Sequence, residues 1–152
     1  MKRDARLLDR FGDYAQDFEK TYLDDDWTRL EPYFASDAVY RVVGSTAWDC
    51  EVRGRDQIFA AIRQFVNGFD RKCTRSVRPA GTPFVGTDAV RIPAVAAFTR
   101  GDSEELALSI EMIAQYRDGL IVRLTDVISA ESEAYMRAWI ERWASDLHPS
   151  YV

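Results

Sequence analysis

The order in which hydrophobic periods follow one another predicts an α+β fold, a sheet of long, mostly antiparallel strands whose apolar face is covered by helices. Three observations carry this. Apolar residues recur at helical spacing through most of the chain before Thr74, strand texture follows as far as Ile128, and one last helical stripe comes after it. The strands are gathered in one block and do not alternate with helices, which argues against a parallel, doubly wound sheet. A sheet of this kind must bury one face, and the first three helices are the available cover.

The elements follow in order. Leu7, Leu8, Phe11, Tyr14, Ala15, Phe18 and Tyr22 repeat at helical spacing and predict a first amphipathic helix. The run Asp24-Asp25-Asp26 ends it and supplies an N-cap for a second, short helix presenting Trp27, Leu30, Tyr33 and Phe34. Val39 to Gly44 switches to strand character, with Ala47 to Val52 as its hairpin partner. Gly54 precedes a third helix carrying Ile58, Ile62, Phe65 and Val66 on one face, and Gly68 sits near its end. Pro79, Gly81, Pro83 and Gly86 interrupt the next strand and predict a bend or bulge. Asp88 to Thr99 and Leu106 to Tyr116 read as long strands flanking an Arg100-Gly101-Asp102-Ser103 turn. Asp118-Gly119 is a hairpin signal, because both residues tolerate positive φ, and it leads into Leu120 to Ile128. Ser129 can cap a last helix with Glu131 and Glu133 in its first turn and Met136, Trp139, Ile140 and Trp143 as its apolar stripe.

At 152 residues the chain reads as a single domain, 1–152, without linker, repeat or low-complexity tract. Its 47% apolar and 30% charged residues are ordinary for a globular protein. A net charge of -5 with no concentration of Lys and Arg argues against nucleic acid and anionic membrane surfaces as partners. No apolar run approaches the roughly 20 residues that span a bilayer. The charged opening Met1-Lys2-Arg3-Asp4-Ala5-Arg6 is unlike a secretory leader, so the cytoplasm is the expected compartment, with Cys50 and Cys73 reduced.

Absences narrow the chemistry. The single histidine, His148, lies beside Pro149 near the carboxyl terminus and reads as a solvated tail residue, which leaves no His-based triad. One His and two Cys cannot assemble a transition-metal site, so no metal is expected. Neither a G-x-x-x-x-G-K loop nor a G-x-G-x-x-G turn is present, and no cofactor is expected. The run Asp24-Asp25-Asp26 is explained by helix capping more simply than by a hard cation.

Carboxylate and phenol chemistry remain. Asp126 lies in the apolar strand Leu120–Ile128, where period-two alternation puts it on one face with Val122 and Leu124, while Arg123 and Thr125 share the other. A carboxylate on a core-facing position must be paired, hydrogen-bonded or held neutral by a raised pKa, and each condition suits a general acid or base; a structural pairing or a cap on the last helix is the alternative. Tyr40 shares its strand face with Val42, and a cavity-facing hydroxyl there can donate to a substrate oxygen, or be an ordinary satisfied core tyrosine. Arg91 would suit an anionic ligand or pair with Asp126 if turned inward, whereas general burial preference turns it outward. Trp48 can floor a hydrophobic site or sit in a dimer interface.

The stretch from Asp26 to Tyr40, a short helix, a capped stop and then a strand, resembles the opening of the nuclear transport factor 2-like superfamily, in particular its branch of SnoaL-like polyketide cyclases, limonene epoxide hydrolases and ketosteroid isomerases. The resemblance implies a cone-shaped, strongly curved sheet enclosing one pocket, with N-terminal helices over it and a C-terminal helix. It further implies that Tyr40 matches the pocket tyrosine of the epoxide hydrolases, that Asp126 falls at one of their catalytic aspartates and at the end of the polyketide cyclases' DG-I-x-x-x-x-D pattern, and that Leu108 and Ile110 line the pocket. The departures are specific. Val42 replaces a polar amide, the hydrolases' Arg-x-Asp pair falls near Pro93 and Val95, and the isomerases' catalytic groups fall at Val42, Phe18 and near Ile113.

Two functions follow. One is a cofactor-free enzyme, of isomerase, cyclase, dehydratase or hydrolase type, using Asp126 and Tyr40 on a small hydrophobic molecule. The other is a non-catalytic binding or dimerisation module. Val42, Trp48, Arg91, Leu108, Ile110, Met112 and Leu124 are the expected ligand-binding residues under either. The resemblance also implies a homodimer formed through the outer sheet face, where Glu111 and Ile113 lie.

Overall fold

The apolar stripe of the first segment becomes helix α1 (Lys2–Asp24), and that of the third becomes α2 (Arg55–Gly68), in a computed structural model of the chain. The structure describes residues 2–152, and side chains from Arg6 onward, so the side chains of the charged opening Met1–Ala5 lie outside it. Between the helices come strands β1 (Phe34–Val43) and β2 (Cys50–Arg53). After them run β3 (Thr74–Pro79), β4 (Phe84–Val85), β5 (Ala89–Thr99), β6 (Leu106–Arg117) and β7 (Leu120–Ile128), and then helix α3 (Ala130–Trp143).

The strands form one curved sheet in the order β2-β1-β7-β6-β5-β3, and β4 pairs with the other end of β5. All neighbours are antiparallel except β1 and β7, which run parallel with Tyr40 opposite Leu124 and Val42 opposite Asp126. The parallel seam joins the beginning of the sheet to its end, and a register shift between Phe34 and Val39 adds to its curvature. The sheet is not a closed barrel. Its concave face receives α1 and α2, and the core lies between them, with Phe34, Ile58, Phe69, Val90, Leu108 and Ile121 almost wholly enclosed.

Local chemistry explains the boundaries. Asp118 (φ 53°) and Gly119 (φ 79°) form the β6–β7 turn, as their tolerance of positive φ requires. Ser129 caps α3, its Oγ accepting from the Ser132 amide at 3.1 Å. The interrupted strand after Thr74 divides into β3 and β4, with Gly81 at φ 129° between them.

Three expectations are corrected. The second helix is a 3₁₀ turn, Trp27–Tyr33, because Pro32 cannot continue an α-helical ladder. Its N-terminus carries no side-chain cap. Asp24 instead accepts from the Asp26 amide at 3.0 Å and holds Arg29, while Asp25, at φ 62°, accepts from the Trp27 indole at 2.8 Å. The hairpin partner of β1 begins only at Cys50, and Trp48 lies in the turn before it.

Candidate functional site

A cavity of about 170 Å³ lies between the sheet and the two long helices. Phe11, Tyr14, Ala15 and Phe18 of α1 and Ile62, Phe65 and Val66 of α2 form its roof, while Tyr40, Ile110, Met112, Leu124 and Asp126 form the sheet wall. Tyr40 and Asp126 meet here because of the parallel seam: Tyr40 lies opposite Leu124, one same-face step from Asp126, within side-chain reach on the diagonal. The Tyr40 hydroxyl donates to Asp126 Oδ2 at 2.7 Å, and no other protein hydrogen bond to the carboxyl is present among the described residues.

The carboxyl keeps a minor accessible area where it borders the cavity, and protein surrounds it. Burial pushes its pKa up to about 6, opposed only by the Tyr40 hydrogen bond. No Arg or Lys among the described residues forms an ion pair with it. The same burial, together with the charge of Asp126, holds the Tyr40 phenol well above its ordinary range, so Tyr40 keeps its proton. That single proton is already given to Asp126.

The tail contributes a residue that sequence reasoning missed. After α3 the chain folds back across α2, with Leu147 buried and the Ser150 carbonyl accepting from Gln64 at 3.2 Å. This carries Tyr151 into the cavity, stacked on Phe65 with centroids 4.2 Å apart and planes at 5°, and edge-on to Tyr40 at 5.7 Å. Burial and the neighbouring Asp126 raise its pKa far above the ordinary phenol value. As the penultimate residue of the sequence, Tyr151 has no periodic neighbours by which sequence could have placed it. His148 itself is exposed on this tail.

A second polar group borders the same cavity. Asp70, 6% exposed, follows α2 in a short 3₁₀ turn (Asp70–Lys72), and its Oδ2 lies 3.3 Å from Arg75 Nε of β3. The two terminal nitrogens of Arg75 are both committed to Glu19 of α1, at 3.0 and 3.1 Å. Burial raises the Asp70 carboxyl to about 7 against the opposing charge of Arg75.

Of the expected ligand-binding residues, Ile110, Met112 and Leu124 line the cavity and four do not. Val42 and Leu108 share strand faces with Tyr40 and Ile110 but lie where the core closes, 2% and 1% exposed. Trp48 packs edge-on against Phe65 and Phe69 at 4.7 and 5.3 Å, one layer behind the cavity. Arg91 points outward and pairs with Glu111 across β5 and β6 at 3.8 Å, as an exposed guanidinium does when the opposite strand offers a carboxylate. Cys50 and Cys73 are free. Among the described residues, no three His, Cys, Asp or Glu side chains gather as metal ligands, and no helix is long and apolar enough to cross a membrane.

Neither a protein-family model nor a curated protein matches the sequence. Solved structures do match. Bal32a, from a soil-derived mobile gene cassette, superposes with a TM-score of 0.67 at 14% identity over 90% of this chain and 98% of its own. An LEH-like epoxide hydrolase of M. tuberculosis gives 0.59 at 15% identity over 84% and 87%. An NTF2-like protein from Burkholderia xenovorans LB400 gives 0.60 at 14% identity over 86% and 96%. At such identities the likeness concerns backbone architecture, and on that ground the chain has the nuclear transport factor 2-like fold.

Proposed function

We propose that this cavity is the active site of a cofactor-free acid–base enzyme, with Asp126 as the group that moves a proton on a small hydrophobic substrate. One observation carries the reading: a carboxyl in an apolar cavity, without a cationic partner, held by a single phenol at 2.7 Å. A carboxyl with a pKa near 6 is largely ionised at neutral pH yet basic enough to accept a proton, the balance that general base catalysis favours.

The roles differ from those expected of the Asp–Tyr pair. Tyr40 spends its only proton on Oδ2, so it serves as the positioning residue that fixes the carboxyl and leaves Oδ1 for substrate. Tyr151, whose hydroxyl neighbours that of Tyr40 and which also lines the cavity, is the phenol left to donate to an oxygen that gains charge in the transition state. Asp126 would remove a proton from a carbon or from an attacking water, and would return it as the acid in an isomerisation. The volume favours a single ring over a steroid or polyketide, since a cavity of roughly 150 Å³ holds benzene.

The epoxide hydrolase among the fold's neighbours supports an epoxide as one probe, and a β,γ-unsaturated ketone tests isomerisation. Wild-type protein should convert cyclohexene oxide or 3-cyclohexenone. Asp126→Asn should lower that rate by about 10²–10⁴-fold, the usual share of one positioned proton-transfer group. Conversion that survives the substitution would refute the assignment. Binding of ring-sized ligands without any turnover would favour the second reading, a non-catalytic ligand-binding module, which the mostly apolar lining supports. We also propose a homodimer through the outer sheet face bearing Glu111 and Ile113, for which sedimentation at a mass twice that of the chain is the test.

A further inference from the structure

The cavity's charges do not balance. Asp126, Asp70 and Glu19 all border it, and Arg75 is the one cation among its lining residues. Each nitrogen of Arg75 already faces a carboxylate: its terminal nitrogens serve Glu19 and its Nε faces Asp70 Oδ2. Asp70 Oδ1, by contrast, is shut off from solvent and accepts no hydrogen bond from any described residue. A buried carboxylate oxygen without a donor is costly and rare, and sites that tolerate one are commonly completed by a ligand or an ordered water.

The rest of the lining suits a particular donor. Phe11, Tyr14, Phe18, Phe65 and Tyr151 present aromatic surface around the same space. Ring faces attract a cation, more strongly when it is desolvated. An anion would meet three carboxyl groups and no uncommitted positive charge.

Resting on the reading of this cavity as a ligand site, we propose that its ligand is a small hydrophobic amine, bound as the ammonium with an N–H directed to Asp70. Asp70 is then a binding residue that selects the substrate class, on a different wall from Asp126, and Tyr151 stands within electrostatic reach of both. The carboxyl is poised to respond. Burial holds it near 7, with Arg75 of β3 and Arg71 of its own turn opposing and Glu19 of α1 reinforcing the rise, so an arriving cation displaces its proton.

The test is calorimetric titration of the intact protein at pH 7 with four probes of one size: cyclohexylamine, cyclohexanol, methylcyclohexane and cyclohexanecarboxylate. The amine should bind about tenfold more tightly than the alcohol, and the carboxylate least tightly. Titrations in two buffers of different ionisation enthalpy should show that amine binding releases protons. Asp70→Asn should bring amine and alcohol to within about threefold of each other and abolish the release. Asp126→Asn should keep the amine preference while losing turnover, which separates the two assignments. An amine bound no better than the alcohol, or a preference abolished by Asp126→Asn and not by Asp70→Asn, overturns the proposal. Should Asp70→Asn fail to fold, absence of proton release in the wild-type protein overturns it alone. Failure of all four probes to bind overturns it together with the ligand-site reading.

Discussion

Asp126→Asn is the most informative single change, because the proposed function and the stability of the fold respond to it in opposite directions. The folded protein raises this carboxyl from 3.8 to about 6. At about 1.4 kcal/mol per pH unit, the ionised form is less stable in the cavity than in the unfolded chain by about 3 kcal/mol. The sign follows from where each state binds its proton. Below pH 3.8 both states are protonated, and the group exacts no penalty. Between 3.8 and about 6 the unfolded chain ionises first, so wild-type stability falls as pH rises, and above 6 the full penalty persists. Asparagine keeps the acceptor for Tyr40 and carries no charge. The variant should therefore match wild type near pH 4 and exceed it by up to about 3 kcal/mol at pH 8, a rise of roughly 6–12 °C in Tm for a chain of this size. Paired thermal melts followed by circular dichroism at pH 4, 6 and 8 read the difference, and contributions from other titrating groups cancel between the two proteins. A variant equally destabilised at every pH would show that the carboxylate is a structural partner and would refute the reasoning behind the site.

Further outcomes follow from the same geometry. Tyr40→Phe removes the one interaction that lowers the Asp126 pKa, so the acid limb of kcat/KM, expected near pH 6 in wild type, should move up by about one pH unit; an unmoved limb would sever Tyr40 from the titrating group. Tyr151→Phe keeps the stacking on Phe65 and deletes only the hydroxyl, so kcat should fall by about 10²-fold with Tm almost unchanged; equal loss in both would mark a packing residue. Gly44→Ala would place a Cβ 2.0 Å from the Ile128 carbonyl oxygen at φ 97°, and should destabilise by more than about 3 kcal/mol in urea unfolding. Gly12→Ala, in the interior of α1 with nothing within 4 Å, should stabilise by about 0.5–1 kcal/mol.

What could be read from the chain was whatever a local pattern fixes. Leu120–Ile128 matches its predicted limits because Asp118-Gly119 and Ser129 bound it with turn and cap chemistry that acts over three or four residues. The face of Asp126 follows from a period of two and needs no knowledge of neighbours. Partners were harder. Periodicity assigns Val42 and Leu108 to the same faces as Tyr40 and Ile110, but only the curvature of the sheet decides where along a strand the cavity ends. Asp70 stands in Asp70-Arg71-Lys72, a charged triplet that resembles solvated surface, and its burial depends on α1 and β3 closing over it. Tyr151 depends on a tail route fixed by long-range contacts, among them the Gly68 backbone, where an added Cβ would sit 2.7 Å from the His148 carbonyl oxygen.

The parallel seam between β1 and β7 also governs when the site can exist during folding. Tyr40 and Asp126 are 86 positions apart in the chain, and the strands bearing them are the first and the last of the sheet in chain order. Contacts of such high sequence separation form late, since loop-closure entropy opposes them until local structure has accumulated. An intermediate with only the β5–β6–β7 meander assembled would hold Asp126 on an open sheet edge, hydrated and with an ordinary acidity. On the proposed reading, proton-transfer competence would be switched on by the docking of the first strand, and partly folded chains would carry the same side chains without it.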